Sequence, residues 1–274
     1  MRIARGEYAL NYVILALFAL FALLPFVGVV LNALDPEGTN NSGFAFPTHP
    51  SFGNFVEAWT VGHFSDYMLS SVVVTVSVVV LSILLTVPAA FAFARMRFRF
   101  SGIIFGLLVL GLIIPDEAII IPLYFDLRDV GLTDTYWALI LPQVAQSIAF
   151  GVFWMRAAFR TFPQSVIDAA RIDGASDFRI LWQVLLPTAR PAVTTLALLI
   201  AMWTWNSFII PLVMISGNSF RTVPLGLAFF QGEHTTDYAL LSAAALIIAA
   251  PIVLLYLFLQ RSFIRGMLGG AVKD

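Results

Sequence analysis

The sequence predicts an all-α membrane protein with six transmembrane helices, and three observations lead there. Sixty per cent of the 274 residues are apolar, only 11 % are charged and the mean hydropathy is +0.91, a balance that a water-exposed globular surface does not tolerate. Six apolar stretches approach the roughly 20 residues that cross about 30 Å of hydrocarbon. Apart from Asp116 and Glu117, the charged residues fall in the segments between those stretches.

The predicted spans run over 11–34, 69–93, 103–125, 136–155, 191–215 and 238–260. Their apolar runs show no period-two alternation, which excludes a membrane β-barrel, because in lipid only helices and closed barrels satisfy their own backbone. The first run follows Arg2 and Arg5, as a signal peptide would. It is longer than the usual apolar core of about 7–15 residues, lacks a small-x-small cleavage site and is followed by five more spans, so it reads as a retained first helix. Cysteine is absent, and His49, His63 and His234 are too scattered to pair on a metal.

Orientation follows from Lys and Arg. With the N-terminus inside, the inner segments hold Arg2, Arg5, Arg95, Arg97, Arg99, Arg156, Arg160, Arg171, Arg179, Arg190, Arg261, Arg265 and Lys273, leaving Arg128 and Arg221 outside. Both termini are expected in the cytoplasm.

Two connections exceed the usual length. The outer one, 35–67, carries Asp35, Glu37, Glu57 and Asp66 without Lys or Arg. The inner one, 156–190, reads as a helix-turn-helix. Pro163 suits a first turn, Gln164 to Ile172 continue it and Gly174 turns the chain. Ser176 caps a second helix with Asp177 in its first turn. On that helix Phe178, Leu181 and Leu185 form an apolar stripe, with Ile180 and Val184 beside it, and Pro187 and Pro191 lead into the fifth span.

The run Asp168, Ala169, Ala170 is followed by Gly174 four residues on, and by Val184-Leu185-Leu186-Pro187 ten residues after the glycine. This spacing resembles the E-A-A…G…I-x-L-P loop of binding-protein-dependent importer permeases, with Asp168 for Glu and Val184 for Ile. Asn54-Phe55, Ile121-Pro122-Leu123-Tyr124, Trp205-Asn206, Pro211-Leu212 and Gly270-Ala271-Val272-Lys273 extend the likeness to the carbohydrate-uptake permeases of MalG type.

The resemblance implies a type I ABC importer permease fold in one transmembrane domain, 1–274, at the bacterial or archaeal inner membrane. Its 163–187 loop would couple to a separate ATPase through Asp168, Ala169, Ala170, Gly174, Ala175, Ser176, Phe178, Ile180, Leu186 and Pro187. Implied partners are a second homologous permease, two ATPase subunits and an extracytoplasmic binding protein that delivers a sugar or similar solute. The binding protein would dock near 35–67 and 217–237. The chain has no G-x-x-x-x-G-K-[ST] phosphate cradle and Lys273 is its single lysine, so it is expected to be no enzyme and to bind no cofactor itself. ATP and Mg would belong to the partner ATPase.

Polar groups within spans usually face the bundle interior or a water-filled path. Asp116, Glu117 and Asn206 sit roughly 21 Å above the inner ends of spans three and five at 1.5 Å per residue, and Gln143, Gln146 and Ser147 share one face of span four. They are candidates for the translocation path, with Trp203 or Trp205 placed to stack on a sugar ring. The competing reading puts these tryptophans in the outer aromatic belt. An ion-coupled secondary transporter using Glu117 is the alternative function, although no internal repeat is visible and nothing in it needs the inner helix-turn-helix. A membrane-embedded hydrolase is disfavoured, since no histidine lies in a span.

Overall fold

The structure is a computed structural model that describes residues 5–36, 44, 46–230 and 237–268. Among the described residues every regular element is helical. In chain order these are α1 (Arg5–Ala33), α2 (Gly53–Val61), α3 (Phe64–Arg95), α4 (Ser101–Gly111), α5 (Asp116–Asp129), α6 (Tyr136–Arg160) and α7 (Gln164–Ile172). A continuous rod, Asp177–Thr188, follows. It consists of α8 (Asp177–Arg179), a wider π segment (Ile180–Leu185) and α9 (Leu186–Thr188). Then come α10 (Arg190–Trp205), α11 (Ile209–Met214), a 3-10 segment (Val223–Phe230) and α12 (Tyr238–Leu268).

Among the described residues, four stretches are single rods long and apolar enough to cross a membrane: Leu10–Ala33, Phe64–Arg95, Tyr136–Arg160 and Tyr238–Arg261. The expected third and fifth spans are not single rods. The third breaks between α4 and α5, where Pro115 adopts φ −68° and ψ 137° and its ring prevents continuation of the preceding helix. The fifth ends at Asn206, the C-cap of α10, and resumes as the short α11 after Phe208. At its other end α10 meets Asp177–Thr188 at 79°, so the loop's second helix turns away from the span it feeds.

Contacts divide the chain into two units. In the unit of Met1–Ser65 and Gly226–Ala250, buried Asn54 donates from Nδ2 to the carbonyls of Ala33 (2.9 Å) and Asp35 (2.8 Å). It thereby serves the orphan carbonyls at the end of α1. Part of the outer loop (37–43 and 45), residues 231–236 of the second expected docking loop and the terminal Gly270–Lys273 motif lie outside the described residues.

The unit of Asp66–Leu225 with Pro251–Asp274 holds the main core. Val74, Val78 and Val87 of α3, Leu139, Met155 and Phe159 of α6, Ile167 of α7 and Leu196 and Ile200 of α10 are buried together. Gly151 of α6 lets α3 approach closely, for an added Cβ would stand 2.7 Å from Thr86 Oγ1 and 2.8 Å from its Cγ2. Small residues at such crossings serve helix association in lipid, where no hydrophobic difference drives it. At the far end of α6, Asp134 Oδ1 accepts the amides of Ser216 (2.6 Å) and Gly217 (3.2 Å), fixing the α5–α6 turn to the segment after α11.

Candidate functional site

The first candidate site is the α7–α8 loop, and its turn is built by a complete helix stop. Asp173 caps α7, and Gly174 follows with φ +80°, a backbone conformation that side chains with a Cβ rarely adopt. Gly174 N–H donates to Arg171 O (3.0 Å) and Ala175 N–H to Ala170 O (2.9 Å). These are the paired bonds of a Schellman motif, and its usual apolar contact has a counterpart in Ala170 and Ala175, both packed against the core. Ser176 then caps the next helix, its hydroxyl accepting Arg179 N–H at 3.4 Å. Arg171 and Asp177 close the turn with an ion pair at 3.1 Å.

Arg95 anchors the loop to the end of α3. One Nη donates to Gln164 Oε1 (2.9 Å) and the other to the carbonyls of Phe159 and Phe162 at the end of α6. Gln164 Nε2 donates in turn to Asp168 Oδ1 at 3.0 Å, so the exposed Asp168 braces the first turn of α7. Ile167, next to Asp168 on α7, is fully buried.

The apolar stripe foreseen on the second helix divides between two faces. Ile180, Leu181 and Leu185 are buried against the core, so Ile180 is withdrawn from any partner, whereas Phe178 is 74 % exposed. Phe178 stands 5.9 Å from Trp182 between ring centroids, and Ile172 across the turn is 87 % exposed. Trp182, at i+4 from Phe178, continues its exposed side, and Ile172 adds a further outward apolar side chain at the turn. Leu186 is half-buried, and Pro187 is exposed near the bend into α10.

The second candidate is a cavity of about 500 Å³ flanked by both helix breaks. It collects Glu117, Gln143, Gln146, Ser147 and Trp203, joined by Phe150, Thr204, Ser207 and Phe208. Trp203 is held edge-to-face on Phe150 at 4.9 Å, while Gln143 is buried and donates to Leu139 O at 2.7 Å. Two expected lining residues are placed elsewhere. Trp205 is 5 % exposed and turned into the core, and Asn206 donates from Nδ2 to Met202 O at 2.8 Å, capping α10. The side chain of Asp116 lies outside the described residues. Phe150 was detectable as i+4 from Gln146. Ser207 and Phe208 enter because the helix breaks there, one turn before Pro211, which has no N–H for the Ser207 carbonyl.

Residues 82–269 match the family model described as binding-protein-dependent transport system inner membrane component. The probable ABC transporter permease YurM of Bacillus subtilis is 33 % identical over 265 residues, covering 96 % of this chain and 87 % of YurM. The diacetylchitobiose uptake permease NgcG of Streptomyces coelicolor is 33 % identical over 92 % of this chain and 85 % of its own length. The melibiose, raffinose and stachyose import permease MelC of Bacillus subtilis is 30 % identical over the full length of both. A crystal structure of a bacterial ABC transporter importing the acidic polysaccharide alginate has a chain that superposes with TM-score 0.77 at 24 % identity, covering 96 % of this chain and 99 % of its own. That likeness shows a shared fold. The chain therefore belongs to the family of binding-protein-dependent transport system inner membrane components, the permeases of ABC importers.

Proposed function

We propose that this permease carries a sugar or oligosaccharide inward, delivered by an extracytoplasmic binding protein and driven by a separate ATPase that docks on the α7–α8 loop. The observation that carries the reading is the exposed apolar face of Ile172, Phe178 and Trp182, held at a rigid glycine turn by paired backbone bonds and an ion pair. A short, braced helix with an apolar outer face suits a groove on a partner. Ala169, Gly174, Ala175 and Ser176 at the turn let a partner approach closely. Asp168 and Arg95 hold the turn in place rather than touching the partner.

Sugars are favoured as cargo by the relatives, whose names refer to diacetylchitobiose, melibiose, arabinooligosaccharides and trehalose. The 500 Å³ cavity has the matching chemistry, with amides and hydroxyls for ring hydroxyls and an indole for a ring face. Interrupted helices at membrane depth occur where backbone lines a cavity. On this reading α4 with α5 and α10 with α11 are two broken crossings, which with α1, α3, α6 and α12 make six. Both termini then lie in the cytoplasm of an inner-membrane protein.

A second homologous permease completes the pathway, two ATPase subunits supply ATP and Mg, and this chain binds neither. The alginate transporter's structure with a pentasaccharide-bound periplasmic protein supports a binding-protein partner. Ion-coupled transport has no observation in its favour. Purification of the full-length chain from its native membrane, with identification of accompanying chains, tests the proposal. A second permease and an ATPase are expected, and transport by the chain alone under an ion gradient would overturn it.

A further inference from the structure

A second cavity, of about 910 Å³, lies beside the α7–α8 loop and is lined by Arg95, Arg97, Arg156, Arg160 and Arg171 against one carboxylate, Asp177. Asp177 is engaged by Arg171 at 3.1 Å. Arg95 is engaged by Gln164 and two carbonyls, and Arg156 by Phe93 O (3.2 Å) and the Phe105 ring (3.9 Å). Arg97 and Arg160 have no hydrogen-bond or ion-pair partner among the described residues. One wall of a sparsely charged chain thus concentrates four uncompensated guanidinium charges, which repel one another unless an anion joins them.

We propose that this cavity binds the phosphate headgroup of an anionic phospholipid. Guanidinium groups present paired N–H donors that match phosphate oxygens. Arginines near a membrane surface attract anionic lipid. An apolar shelf for the acyl chains adjoins the charges, because Met96 and Phe98 line the cavity and Ile103, Ile104 and Leu107 of α4 are exposed beside it. The choice of a lipid over a free anion rests on the reading that this end of the helices sits at the inner membrane surface. Because Arg95 and Arg171 also brace the loop, a bound headgroup would steady the turn that carries Phe178.

Native mass spectrometry of the purified full-length chain, titrated with phosphatidylglycerol or phosphatidylcholine, tests the site without any ATPase present. Phosphatidylglycerol is expected to be retained preferentially, and Arg97→Gln with Arg160→Gln to weaken it about 30-fold, at roughly fivefold per guanidinium. Arg128→Gln, which removes an arginine outside the cavity, is expected to bind as wild type. Equal retention of the two lipids would overturn the proposal, as would wild-type binding by the double variant. Full displacement of the lipid by millimolar inorganic phosphate would show a free-anion site instead. If the double variant binds lipid normally and, in a separate purification from native membrane, loses the ATPase, the arginines serve that partner and the lipid proposal fails.

Discussion

The amide of Ala175 donates to the carbonyl of Ala170 at 2.9 Å, spanning Gly174 and sealing the end of α7. Gly174 has φ +80° and nothing within 4 Å of where a Cβ would stand, so conformation rather than space excludes other residues. Gly174→Ala should lose about 1–2 kcal/mol of stability from the left-handed backbone, while Gly174→Asn, a residue more tolerant of it, should lose less. Thermal unfolding of the purified variants checks the order. Equal loss in both would show that the turn is not what the glycine serves.

Arg95 holds three acceptors at once through one planar fork, which a lysine cannot reproduce. Arg95→Lys should therefore destabilise the chain by about 1–3 kcal/mol. Protection of the α7 amides in hydrogen exchange should fall more than that of α6. Unchanged protection would separate Arg95 from the loop.

Thr86 Oγ1 is buried, has no hydrogen-bond partner among the described residues and faces Gly151. Gly151→Ala alone should cost about 1–3 kcal/mol by overpacking. Combined with Thr86→Ala most of that loss should return, since the clashing atoms are gone. Additive effects in the double-mutant cycle would place the strain elsewhere.

For the cavity, Trp203→Ala and Glu117→Gln should each lower sugar uptake about tenfold, roughly 1.4 kcal/mol of lost interaction. Asn206→Ala, which removes only the cap on Met202, should leave uptake within about twofold once expression is matched. Uptake that falls only in the Asn206 variant would move the path away from this cavity.

Composition and charge were enough to read the four unbroken rods, and the glycine turn with its Ser176 cap was legible from local chemistry. Other features depend on tertiary geometry. The break after Asn206 lies one turn before Pro211, which has no N–H for the Ser207 carbonyl, but a proline there fits a kink as well as a break, and the polar Asn206-Ser207 pair reads equally well as lining of an intact helix. The stripe on the second loop helix was misassigned because the π segment Ile180–Leu185 winds more widely than an α-helix, which shifts Leu185 out of phase with the exposed Phe178, whereas Ile180, two positions from Phe178, faces the other way on any helix. The Arg95–Gln164–Asp168 chain joins residues 69 positions apart and has no signature in spacing.

The most direct test of the coupling face is Phe178→Asp, a change at an exposed side chain that leaves the buried Ile180, Leu181 and Leu185 untouched. Purified from native membrane, this variant should keep its second permease and its wild-type melting temperature but lose the ATPase. A folded Phe178→Asp chain that retains the ATPase at wild-type stoichiometry would contradict the account.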